Sequence, residues 1–140
     1  MFPKLIIPRM IPTTTAETIL VVDDCPPVCE LIEIILCRAG YRVVTATSGT
    51  EALRLARRVS SIDLLVSNTE MPEMSGAELA ERIATLHPSA PVLFTSGFEN
   101  EPARGPFTFL AKPFTIAELR GAVSRALQMH VASAEPAHAA

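Results

Sequence analysis

Residues 64–76, LLVSNTEMPEMSG, change character twice in a short space. Leu64-Leu65-Val66 is an apolar run of the kind a fully buried strand carries. A polar loop follows, headed by the amide Asn68. The stretch closes on Ser75 with Glu78 three residues later, a capping box that opens a helix. Strand, loop and helix in that order make half of a β-α-β unit, and the rest of the chain shows the same alternation.

Toward the amino end, Ile19-Leu20-Val21-Val22 reads as a first buried strand. A helix from about Pro26 to Ala39 follows, with Val28, Leu31, Ile32 and Ile35 on one face and Gly40 as its stop. Arg42 to Ala46 is a second strand, and Ser48 to Glu51 a capping box before Ala52, Leu55, Ala56 and Val59. The third strand spans Asp63 to Ser67 and ends at Asn68. Toward the carboxyl end, Leu79, Ile83 and Leu86 share a helix face, and His87-Pro88 ends that helix. Val92 to Thr95 and about Phe107 to Ala111 are two further strands. Thr115 to Glu118 caps a last helix that turns Ile116, Leu119, Val123 and Leu127 inward. Between the last two strands, GFENEPARGPF contains Pro102, Gly105 and Pro106, which predict a loop or single turn rather than a full helix. Five strands alternating with helices define an α/β domain with a parallel sheet and right-handed crossovers.

The chain of 140 residues, 49% apolar and 19% charged, holds one ordinary domain. A net charge of -3 offers no basic face to nucleic acid, and no apolar run is long enough for a membrane span. Residues 1–16 read as a disordered leader, 17–130 as the domain and 131–140 as a disordered tail. The leader has Lys4, but Pro8 and Pro12 interrupt its apolar stretch, so it is not a signal peptide. Cys25, Cys29 and Cys37 are an odd count and read as free thiols in a cytoplasmic protein. His87, His130 and His138 show no ligand spacing and read as solvated.

Ligands of parallel α/β sheets bind beyond the carboxyl ends of the strands. Asp23-Asp24, Asn68, Thr95-Ser96 and Lys112-Pro113 collect at those ends here. Paired carboxylates suit Mg²⁺, and a hydroxyl with an ammonium suits a phosphoryl group. Singly, each has a plain reading: Asp24 as cap of the helix that Pro26 opens, Lys112 and Ser96 as polar strand ends.

Together, ILVVDD, AGYRVVTATSGTEAL, IDLLVSNTEMPEMSG, PVLFTSG and FLAKPF resemble the receiver domain of two-component response regulators (CheY-like). The resemblance implies a flavodoxin-like doubly wound sheet in the order 2-1-3-4-5. It implies a Mg²⁺ set of Asp23, Asp24, Asn68 and the main-chain carbonyl of Glu70. Ser96 and Lys112 would meet the phosphoryl group, Phe109 would be the aromatic switch, and the Lys112-Pro113 bond would be cis. The family's phosphoacceptor aspartate falls on Asn68, whose amide cannot form an acyl phosphate without losing its nitrogen. The expected function is therefore a stand-alone pseudo-receiver in a phosphorelay, not an enzyme, with Mg²⁺ weak or absent. It would act by docking a histidine kinase, a phosphotransfer protein or an output protein, in an oligomeric state left open. Alternatives are an ordinary receiver with an introduced Asp-to-Asn change, phosphate on Ser67, Thr69 or Ser96, and a Mg-dependent phosphohydrolase. The last lacks the spaced Asp-x-Asp pair and a lid.

Overall fold

A computed structural model of the chain describes residues 16–96 and 107–139, with side chains to residue 128. The expected leader and the link between the last two strands lie outside these residues, so the expectation of a shortened or absent helix there is not addressed. In chain order the elements are β1 (Thr18–Val22), α1 (Pro26–Arg38), β2 (Arg42–Ala46), α2 (Gly49–Ala56) and β3 (Leu64–Asn68). They continue with α3 (Gly76–Leu86), β4 (Val92–Ser96), β5 (Phe107–Ala111) and α4 (Ile116–Ala139). The strands form one parallel sheet in the order β2-β1-β3-β4-β5.

Alternate residues of each strand face opposite sides of the sheet, and each side is sealed by a different helix pair. Leu20, Val22, Leu65, Val92 and Phe94 pack with Ala52, Leu53 and Ala56 of α2 and with Leu79 and Ile83 of α3. Ile19, Val21, Leu64, Val66 and Leu93 pack with Ile32 and Leu36 of α1 and with Leu119 and Val123 of α4. Burying both faces explains why the central strands are continuously apolar. At the amino edge, Asp63 Oδ2 accepts the Thr18 backbone N–H at 2.8 Å, tying the starts of β1 and β3.

All three predicted caps form. Ser48, Ser75 and Thr115 side chains accept from the backbone N–H of Glu51, Glu78 and Glu118. Only Thr115 completes the box, its own N–H donating to Glu118 Oε1 at 2.9 Å. Glu51 takes the N–H of Thr47 instead, and Glu78 pairs with Arg82.

Several expectations are corrected. The α1 face is Cys29, Ile32, Ile35 and Leu36, whereas Leu31 is 52% exposed. A 3.6-residue period allows two overlapping apolar stripes here, and docking on the sheet selects the one that includes Cys29. Ile116 is 58% exposed, because it sits in the first turn, ahead of where α4 meets the sheet at Leu119. Leu86, in the last turn of α3, is also exposed. His87 is half-buried rather than solvated: its Nε2 lies 2.8 Å from the Ala56 carbonyl and links the ends of α3 and α2. Asp24 does not cap α1. Its N-cap is Cys25, without a side-chain bond, and it is Asp23 Oδ1 that takes the Cys25 N–H. Residues expected as a loose tail continue α4 to Ala139, where Ala132, Ala134, Ala137 and Ala139 are strong helix formers.

Candidate functional site

The strand ends converge because backbone bonds fix them at one level. Val22 pairs with Ser67, Asn68 with Thr95, and Ser96 with Ala111. Just beyond, Asp23 N–H donates to Ala46 O, Thr69 N–H to Thr95 O, and Lys112 N–H to Ser96 O at 2.7 Å. Four of the predicted residues meet here through their side chains: Asp23, Asp24, Asn68 and Lys112.

Asp23 is 1% exposed and is held from two sides. Lys112 Nζ donates to its Oδ2 at 2.9 Å, and the Cys25 N–H donates to its Oδ1 at 2.9 Å. A charge this deep is tolerated only when paired and hydrogen-bonded, and Asp23 is both. Asp24, next in sequence, is exposed. Its Oδ1 accepts from Asn68 Nδ2 at 3.0 Å. The same amide nitrogen donates its second hydrogen to the main-chain carbonyl of Glu70 at 2.8 Å. The amide oxygen turns the other way, 3.4 Å from Lys112 Nζ. This orientation of the amide is the one the neighbours require. Flipped, its oxygen would face two acceptors and its nitrogen an ammonium.

The remaining expected residues lie around this cluster. Ser96 is buried at the end of β4. The Lys112-Pro113 bond is cis. Phe109 is half-buried and stacks on Phe94, ring centroids 5.3 Å apart. Ser67 is fully buried and donates its hydroxyl to Asn68 O, so it is closed to a phosphoryl donor in this arrangement.

Three contributors were not read from the sequence. Gly76 opens α3 so close to the loop that a Cβ there would strike the Asn68 carbonyl, and its N–H donates to Thr69 O at 2.9 Å. A glycine directly after a capping serine is the only signal available. Met74, 8% exposed, anchors the loop in the core under it. Cys29 lies beneath the strand ends, its thiol donating to Ala46 O at 3.3 Å. Burial, first of several causes, pushes that thiol up from its ordinary range, and the nearby Asp23 charge adds to the rise.

Two carboxylates and a carbonyl are the oxygen chemistry a Mg²⁺ ion uses. The arrangement present does not fit one. Amide hydrogens, not an oxygen, are aimed at Asp24 and Glu70 O, and Lys112 engages Asp23. Among the described residues no group of three or more His, Cys, Asp or Glu could hold a metal ion. No helix among them is long and apolar enough to cross a membrane.

A doubly wound sheet in this order, with acids, an amide and a lysine at its carboxyl edge, defines a class of signalling domain. Residues 19–124 match the response regulator receiver domain model, and the chain belongs to that family. The transcriptional regulatory protein GlrR of Escherichia coli is 36% identical over 116 residues, covering 79% of this chain and 26% of that regulator. The chain thus spans about a quarter of the length of the regulators first among its relatives. The receiver domain of the hybrid histidine kinase CckA superposes with a TM-score of 0.70 at 36% identity, covering 79% of this chain and 98% of that one. The chemotaxis response regulator CheY4 of Vibrio cholerae gives 0.71 at 31% identity, covering 80% and 99%.

Proposed function

We propose that this chain is a pseudo-receiver of a two-component phosphorelay: it keeps the receiver fold but forms no aspartyl phosphate. One observation carries the reading. The side chain at the end of β3, between Asp24 and Lys112, is the amide of Asn68. In the family an aspartate carboxylate at this place attacks the phosphoryl donor. An amide oxygen carries no full negative charge, and its acyl phosphate would require loss of nitrogen.

Without that chemistry the domain acts by docking. Its partners are a histidine kinase, a phosphotransfer protein or an output protein of the cytoplasm. Relatives that include a sensor kinase and transcriptional regulators support this choice. The module is not itself an enzyme, and Mg²⁺ is at most a weak ligand. Ser96, Lys112 and Phe109 hold the positions that in the family meet and report a phosphoryl group.

Intact mass after incubation with Mg²⁺ and acetyl phosphate tests the reading. The wild-type chain gains no phosphoryl mass, and Asn68→Asp gains one. A labelled wild type refutes the proposal and directs peptide mapping to Thr69 and Ser96.

A further inference from the structure

Loss of a carboxylate weakens any cation site, but the geometry at Asn68 goes further. The two oxygens left at the mouth of the cluster, Asp24 Oδ1 and Glu70 O, do not wait for a ligand. Each already receives a hydrogen from one nitrogen, at 3.0 Å and 2.8 Å. The positive end of the amide dipole points where a cation would draw both oxygens together. Its negative end faces the Lys112 ammonium, which in turn neutralises Asp23. Every polar group of the cluster is thereby matched to a group of opposite sign, and no buried side-chain N or O among the described residues is unpaired.

We propose that the Asn68 amide nitrogen stands in for the divalent cation, bridging Asp24 and the Glu70 carbonyl and closing the pocket against metal. The inference rests on reading this cluster as a receiver pocket, and not on whether the chain accepts phosphate. Asn68 is then a positioning residue as well as an absent nucleophile. It holds the head of the 69–75 loop to the end of β1 by neutral hydrogen bonds, with no dependence on divalent ions. A metal must break two hydrogen bonds before it can bind.

This account differs measurably from one based on charge alone. Alanine at 68 adds no charge and supplies no oxygen, so charge and ligand count both expect Asn68→Ala to bind metal no better than wild type. Removal of the bridging hydrogens expects the opposite. The test is titration with Mn²⁺, read by the electron paramagnetic resonance of the free ion, for wild type, Asn68→Ala and Asn68→Asp. No phosphodonor is present. The proposal expects Asn68→Ala to bind about tenfold more tightly than wild type, the scale of two released hydrogen bonds partly offset, and Asn68→Asp more tightly still. Alanine binding no more tightly than asparagine overturns it, whatever the aspartate variant does.

Should Asn68→Ala fail to fold, the wild type decides. The two side-chain amide protons of Asn68 are then expected in nitrogen-15 NMR as separate, slowly exchanging signals unmoved by millimolar Mg²⁺. Rapid exchange, or a shift on adding Mg²⁺, counts against the bridge. A labelled wild type in the mass experiment would end the pseudo-receiver reading and leave this titration to stand on its own result.

Discussion

The pocket has two halves, and two neighbouring acids fall on opposite sides of the divide. Asp23 is buried, charge-paired with Lys112 and bonded to the Cys25 N–H. Asp24 is exposed and meets only the neutral amide of Asn68 among the side-chain partners described. The buried half is an ion pair spanning β1 and the end of β5, residues 89 apart in sequence. The exposed half is a local bridge across a loop mouth. The difference teaches that one substitution can rewire the solvent side of such a site without disturbing the pair beneath it. The buried half is a matter of stability, whereas the exposed half decides what the pocket admits.

Removing Lys112 should break this comparison hardest. Lys112→Met leaves Asp23 as a buried charge with one backbone donor, and should cost about 2–4 kcal/mol, because an orphaned buried ion is expensive and the lysine is only partly enclosed. Urea denaturation would show this as a lower midpoint at pH 7. An unchanged midpoint would mean that the pair contributes nothing. The next effect comes from the exposed half. Asn68→Asp without divalent ions replaces two donated hydrogens by a third carboxylate and should cost about 1–2 kcal/mol. Thermal melting with and without Mg²⁺ checks it, and Mg²⁺ should recover stability in the variant and not in wild type.

Asp24→Asn should be much milder, within about 0.5 kcal/mol, since the residue is exposed and its remaining oxygen can still accept from Asn68. A loss as large as that from Lys112→Met would erase the distinction between the halves. The smallest effect is a slope. Cys29 holds its proton to higher pH when folded than when unfolded, burial being the first cause. Above about pH 9 the unfolded chain therefore loses that proton first, and stability falls as pH rises. Tyr41, raised chiefly by burial, acts in the same direction higher still. Stability of Cys29→Ala should decline less steeply than wild type in that range, and parallel profiles would exclude the thiol as a contributor.

The elements were legible because each carries its own local signal. Three Ser or Thr residues with Glu three positions on announced three helices, and each side chain caps as expected. The buried strands announced themselves by apolar runs too short for helices. The choice of face was less legible. Leu31 and Leu36 are equally apolar, and only docking on the sheet tells which is inside. His87 was misread for a similar reason: its partner, the Ala56 carbonyl, lies 31 residues away. At the site, the roster of residues could be read, but not the direction of a hydrogen bond. Which end of an amide faces Asp24 depends on residues 24, 70 and 112 arriving together, and no pattern within the chain encodes that arrival.

The close approach of Gly76 to the Asn68 carbonyl gives the site a mechanical side. The Asn68 side chain can turn about its own bonds without consequence for the helix behind it. Its backbone cannot shift, because Gly76 touches the carbonyl on one side while the Gly76 N–H grips Thr69 O on the other. Pocket and α3 therefore work as a ratchet and pawl. A ligand or partner that merely reorients the amide leaves no trace at α3, and one that displaces the loop backbone must carry the helix with it.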